Sequence, residues 1–89
     1  MVKTEIHPQF TKSYKKRIAN NVKLIKKVSD RIDLFKADPK NRLLKDHALS
    51  GKKSNLRAFW VSGDIRVVYL PVSTDRALLL DIGSHNQVY

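Results

Sequence analysis

The sequence predicts an α+β fold of order β-α-α-β-β-β, a helical hairpin packed on a small, twisted, mainly antiparallel sheet. Three observations carry that expectation. One short alternating segment opens the chain. Two stretches with apolar residues every three or four positions follow it. Beyond residue 55 come three runs rich in β-branched and aromatic residues, joined by turns too short for a crossover, which forces antiparallel neighbours.

Val2-Lys3-Thr4-Glu5-Ile6 alternates apolar and polar residues as a half-buried strand does, and Pro8 ends it. Phe10, Tyr14 and Ile18 recur at spacings of four with lysines between them, so one stripe of a short helix is apolar. Asn20-Asn21 breaks that helix. Val22, Ile25, Val28 or Ser29, Ile32 and Phe35 then mark a longer second helix, which stops at Asp38-Pro39 because a residue before proline is pushed out of helical geometry. So short a turn pairs the helices antiparallel and lays their apolar stripes on something flat.

Residues 40–55 are basic, contain Gly51 and have no clear period, which reads as a partly ordered loop anchored by Leu43, Leu44 and Leu49. The strand-like runs are Leu56–Val61, Ile65–Leu70 and Ala77–Ile82, connected by Ser62-Gly63-Asp64 and Ser73-Thr74-Asp75. Phe59 and Trp60 cannot both point inward from one strand, so one of them is either an exposed stacking platform or covered by the loop, although core is the expected place for the aromatic pair as a whole. His7, before Pro8, has no motif around it and reads as structural or inert.

Eighty-nine residues suit one domain spanning 1–89, and 42% hydrophobic residues suffice for a core and are too many for a disordered tail. The chain has no cysteine, and its three histidines are well separated, so neither a disulfide nor a structural zinc is expected. Met1-Val2-Lys3-Thr4-Glu5 lacks the apolar core of a signal peptide, and no run approaches the ~18 apolar residues of a membrane span. The expectation is a cytoplasmic protein without a membrane role.

Charge is unevenly distributed. Residues 1–57 hold 16 Lys and Arg against 5 Asp and Glu, whereas residues 58–89 hold 2 against 3, within a net charge of +10. A polyanion, most plausibly nucleic acid, is attracted to such a chain, although each lysine alone could be a solvated helix face. An acidic partner covering the basic part is the other reading.

Three pieces of the C-terminal half carry the chemistry: Lys45-Asp46-His47-Ala48-Leu49-Ser50-Gly51, Asp64-Ile65-Arg66-Val67-Val68-Tyr69, and Gly83-Ser84-His85. They put two histidines, an aspartate and an arginine where strand ends and loops converge, which suggests RNA cleavage. With Arg57 in order between them, these motifs resemble the RelE/ParE superfamily of bacterial toxins, and Lys-Asp-His-x-Leu-x-Gly followed by Gly-Ser-His is similar to its YafQ branch. The resemblance covers essentially the whole chain. It implies a type II toxin: a ribosome-dependent mRNA interferase that cuts messenger RNA in the ribosomal A site. A cognate antitoxin would neutralise it, and the toxin–antitoxin complex would bind operator DNA through the antitoxin.

Attack of a ribose 2′-hydroxyl on the neighbouring phosphate needs a base, an acid and cations around the transition state, and requires no metal or nucleotide cofactor. Imidazole suits either proton-transfer role because its unperturbed pKa lies near ~6.5. By resemblance, His47 and His85 take those roles, in either order. Asp64 matches an acidic site position and would orient a histidine or act as base; as an Asp in a tight turn, it has a purely local role open to it as well. Arg66 and Arg57 would clamp phosphate through planar contacts, and Tyr89 would stack on a base. Lys45, Lys52 and Lys53 with Arg57 form the implied RNA-binding set. Aligned through Arg57 and Tyr69, the YafQ branch has an aspartate at position 58 and a histidine at position 60, where this chain has Ala58 and Trp60. Two other classes stay open: a ParE-like toxin that binds DNA gyrase and needs no histidine pair, and a basic RNA-binding module without chemistry.

Overall fold

In the computed structural model, which describes residues 1–89, alternation along the C-terminal strands builds a sheet with two unlike faces. The strands are β1 (Lys3–Ile6), β2 (His47–Ala48), β3 (Arg57–Ser62), β4 (Ile65–Ser73) and β5 (Arg76–Ser84), in spatial order β1-β5-β4-β3-β2. β1 runs parallel to β5, and the other three pairings are antiparallel. Helices α1 (Pro8–Arg17), α2 (Val22–Ala37) and the single-turn α3 (His85–Val88) complete an α+β fold, as the sequence predicts.

Helix starts follow local chemistry. His7 caps α1, its Nδ1 accepting from the Gln9 N–H at 3.0 Å, and Pro8 fills the first turn, where a missing N–H costs nothing. Asn21, in the predicted break, caps α2 by accepting from the Leu24 N–H at 3.1 Å.

On the helix-covered face, Phe59 and Val61 of β3 and Val67 and Tyr69 of β4 join Leu79 and Ile82 of β5 in the main core. Ile18 from the end of the first helix and Val28 and Phe35 of α2 close over them. Phe35 lies 4.7 Å, centroid to centroid, from both Phe59 and Tyr69, which adds about 0.5–1.5 kcal/mol per aromatic pair to the burial itself. A smaller cluster of Leu49, Ala58, Val68 and Val88, with Leu56 and Tyr89 against it, occupies the opposite face.

Two expectations need correction, and one element is new. The segment 40–55 is not a loosely ordered loop: it contains 3-10 turns at Arg42–Leu44 and Gly51–Lys53 with strand β2 between them, so the sheet has five strands. β2 pairs through only two residues, too few to leave a periodic signal. The tail after Gly83 is helical, capped reciprocally by Ser84 and Gln87. Finally, Trp60 is not core. It lies in phase with Ala58 and Val68 and is half-buried on the opposite face, whereas Phe59 is fully buried.

No helix is long and apolar enough to cross a membrane.

Candidate active site

The face opposite the helical hairpin collects His47, Arg66, His85 and Tyr89, largely through strand register, whereas Arg57 pairs with Tyr69 on the helix-covered side. His47 pairs with Ala58, Ala58 with Val68, Trp60 with Arg66, and Arg66 with Gly83. Directly paired residues share a face, so β2, β3 and β4 each contribute one site residue along a short diagonal. Gly83 ends β5 just before the α3 turn that carries His85 and leads to Tyr89.

Tyr89 stands at the centre. Its hydroxyl is 3.0 Å from His47 Nε2, its ring meets the His85 imidazole edge-on at 4.5 Å, and the Arg66 guanidinium lies 5.3 Å from its ring centroid. These contacts bring His47, His85, Arg66 and Tyr89 to one place. An open cleft of about 350 Å³ is lined by His47, Leu49, Ser50, Lys53, His85 and Tyr89 among others, and a second of about 200 Å³ by Lys45, His47, Trp60, Gly63 and Arg66. His47 belongs to both.

The tautomer of His47 follows from its partners. Nδ1 lies 2.9 Å from the Lys45 carbonyl, which can only accept, so Nδ1 carries the proton in the neutral ring. Nε2 then presents a lone pair, and the Tyr89 hydroxyl donates to it. Lys45 can offer that carbonyl because it sits at φ 48°, a left-handed conformation that turns the chain sharply into β2.

Asp46 holds that turn in place. It accepts from the Tyr69 hydroxyl at 2.9 Å and from Arg57 Nε at 3.3 Å, which ties the residue before His47 to β3 and β4. Burial, followed by the hydrogen bond and charge of Asp46, pushes the Tyr69 phenol far above its ordinary pKa. For Arg57, burial acts to lower the pKa, yet the charge and hydrogen bond of Asp46 leave it above its ordinary value. Arg57 therefore has one edge committed to Asp46, and its side chain also lines a cleft of about 360 Å³ with Lys40, Arg42 and Lys45.

Asp64 accepts from Arg66 Nη2 at 3.2 Å and from the His85 backbone N–H at 3.4 Å. It thus steers the arginine and the start of α3, and touches neither imidazole. Lys53 donates to the main-chain oxygens of Val88 at 3.1 Å and Tyr89 at 3.2 Å, fastening the tail across the cleft. Lys52, on the same 3-10 turn, is exposed and lines neither cleft. No group of three or more His, Cys, Asp or Glu side chains comes together.

The sequence singles out every residue of the central cluster, and Asp64 and Lys53 beside it, but not the supports Asp46 and the Ser84–Gln87 cap. Asp46 lies inside a motif that was noticed, but nothing local says that its carboxylate turns back into the sheet. The Ser84–Gln87 cap had a visible signal, a serine three residues before a glutamine.

This two-layered α+β arrangement is the fold of small RelE/YafQ-like bacterial toxins, which the known structures share. A copper-bound mutant toxin from Helicobacter pylori is 29% identical over the whole of both chains, with a TM-score of 0.80. The solution structure of a conserved hypothetical protein from Helicobacter pylori is 30% identical over both chains, with a TM-score of 0.67. YafQ in the E. coli DinJ–YafQ toxin–antitoxin complex is 20% identical over 99% of this chain and 97% of that one, TM-score 0.78, a likeness of fold. No curated protein sequence matches. The family described as the bacterial toxin of type II toxin-antitoxin system, YafQ, matches residues 2–89, and the chain belongs to it.

Proposed function

We propose that this toxin is an mRNA endoribonuclease, acting on messenger RNA in the ribosomal A site and so inhibiting translation. The observation that carries this reading is the meeting of His47, His85 and Arg66 around Tyr89, where two open clefts share His47. His47 Nε2, its lone pair held toward the cleft by the Lys45 carbonyl, accepts the proton of a ribose 2′-hydroxyl. The Tyr89 hydroxyl marks the place where that substrate hydroxyl sits. As O2′ bonds to phosphorus, the bond to O5′ breaks, and protonated His85 gives its proton to the departing oxygen. The products are a 2′,3′-cyclic phosphate and a 5′-hydroxyl end. Arg66, aimed by Asp64, stabilises the extra negative charge on the phosphoryl oxygens in the transition state. The ribosome supplies substrate orientation, the largest entropic part of the acceleration. Ala58 and Trp60 contribute no polar group, so chemistry rests on this reduced set.

A neutralising antitoxin is the proposed partner, in line with the DinJ–YafQ complex, and an acidic segment would complement the basic first part of the chain. Operator DNA would be bound by the complex through that antitoxin. The test is to incubate purified protein with translating ribosomes, map mRNA ends, and run a gyrase supercoiling assay beside it. Discrete new ends with unimpaired gyrase support the reading; intact mRNA with inhibited gyrase replaces it with the ParE-like alternative.

A further inference from the structure

Trp60 stands where nothing in the proton-transfer scheme uses it, yet it lines a cleft that shares His47 with the main one. Its environment is unusual for a tryptophan. β2 pairs only with Arg57 and Ala58, so from Phe59 onward the outer edge of β3 has no strand beside it. Arg31 of α2 reaches that edge, donating from Nε to the Val61 carbonyl at 3.3 Å, and its guanidinium lies 5.1 Å from the Trp60 ring centroid. Lys45 Nζ lies 4.7 Å from the same centroid. The indole N–H is already taken, donating to the Gly63 carbonyl at 2.8 Å, which locks the ring plane. What remains is a fixed aromatic surface ringed by cations, with no other apolar side chain lining its cleft.

That arrangement suits one ligand chemistry, a nucleobase flanked by phosphates. Bases stack on aromatic rings irrespective of sequence, and the adjoining phosphates need cations on either side. A lysine ammonium resting on an exposed ring is weakly held, and a base displaces it toward phosphate. Resting on the nuclease reading above, we infer that Trp60 is a base-stacking subsite: it holds the nucleotide next to the cleaved phosphate, with Lys45 and Arg66 at the phosphates flanking that nucleotide. The larger π surface of purines favours them here. The rival is a brace, in which Trp60 merely joins Arg31 and Lys45 to the sheet.

Trp60 is the only tryptophan in the chain, so its emission reports the subsite without labelling the protein. The probe is a short fluorescein-labelled 2′-O-methyl RNA, which lacks the nucleophile and cannot be cut. Titrated into the wild-type toxin, it should quench tryptophan emission in step with the rise in its own anisotropy. An abasic gap walked along the probe should abolish quenching at one position. Trp60→Ala should weaken binding by about tenfold or more, and Trp60→Phe, which keeps an aromatic face, should retain most of it. Because Trp60→Phe and the abasic series do not depend on the alanine variant folding, the test survives its loss. Binding without quenching, quenching indifferent to every gap, or no binding overturns the subsite. Its fate is separable from that of the nuclease: quenching by a protein that leaves ribosome-bound mRNA intact retires the chemistry alone, and cleavage with unaltered emission in the titration retires the subsite alone.

Discussion

The two imidazoles of the cleft differ, residue by residue, in how they are held. His47 is fixed at both nitrogens, by the Lys45 carbonyl and the Tyr89 hydroxyl, whereas His85 is placed by the start of a short helix and by ring contact with Tyr89. Removing either should lower single-turnover cleavage by about 10²-fold or more, and the double variant should cost much less than the product of the two, since acid and base act on one displacement. Tyr69 yields a prediction about stability. Its folded-state pKa lies well above the value of ~10 that holds in the unfolded chain, so above pH ~10 the unfolded state binds fewer protons than the folded one. The contribution is intact below that pH and is lost progressively as pH rises beyond it. Urea midpoints measured from pH 7 upward should therefore fall less steeply in Tyr69→Phe than in wild type, although the variant starts less stable. Parallel curves would show that Asp46 and Tyr69 are not coupled as described. At this scale the sequence was informative for the residues with motifs around them and silent for Asp46, whose partners come from 11 and 23 positions away.

The elements show why some residues were legible and others not. α1 and α2 each carry a repeating apolar stripe with a break between them, and β3, β4 and β5 are apolar runs rich in β-branched and aromatic residues bounded by turn residues, so helical period and strand composition were both available to read. β2 and α3 are too short to repeat anything, and long-range pairing and a local capping box make them. Trp60 was misplaced for a related reason. An aromatic run does not say which of two neighbours faces the helices, and cross-strand register decides it. α3 matters because it presents His85, and Gly83 guards it: a Cβ there would lie 2.6 Å from Gln87 Oε1 and 2.8 Å from Arg17 Nη1. Gln87 Oε1 accepts from the Ser84 N–H at 2.7 Å, so the intruding methyl must displace either this cap or the contact of Arg17 with the Ile82 carbonyl. Gly83→Ala should thus cost roughly 1 kcal/mol in urea unfolding, the scale of a lost cap, and lower cleavage more than that stability loss explains. Unchanged cleavage would mean that α3 tolerates the shift and does not need this cap to aim His85.

Across the whole molecule, charge and chemistry divide the work. Most lysines and arginines of the basic first part lie on α1 and α2, which cover the other face of the sheet, whereas Lys45 and Lys53 line the clefts that hold the proton-transfer groups, and the cleft of Lys40, Arg42, Lys45 and Arg57 adjoins them through Lys45. The logarithm of the affinity for RNA should therefore fall linearly with the logarithm of salt concentration, and Lys45→Ala should shallow that slope by about one phosphate's worth while leaving the fold intact. An unaltered slope would remove Lys45 from the RNA path. The proposal as a whole rests on His47 and His85 serving as base and acid over one phosphodiester. Its most direct test is the pH dependence of single-turnover cleavage of ribosome-bound mRNA by wild type, His47→Ala and His85→Ala. The wild type should give a bell, with the acidic limb absent in His47→Ala and the alkaline limb absent in His85→Ala. Residual activities that keep the wild-type bell in both variants would contradict it.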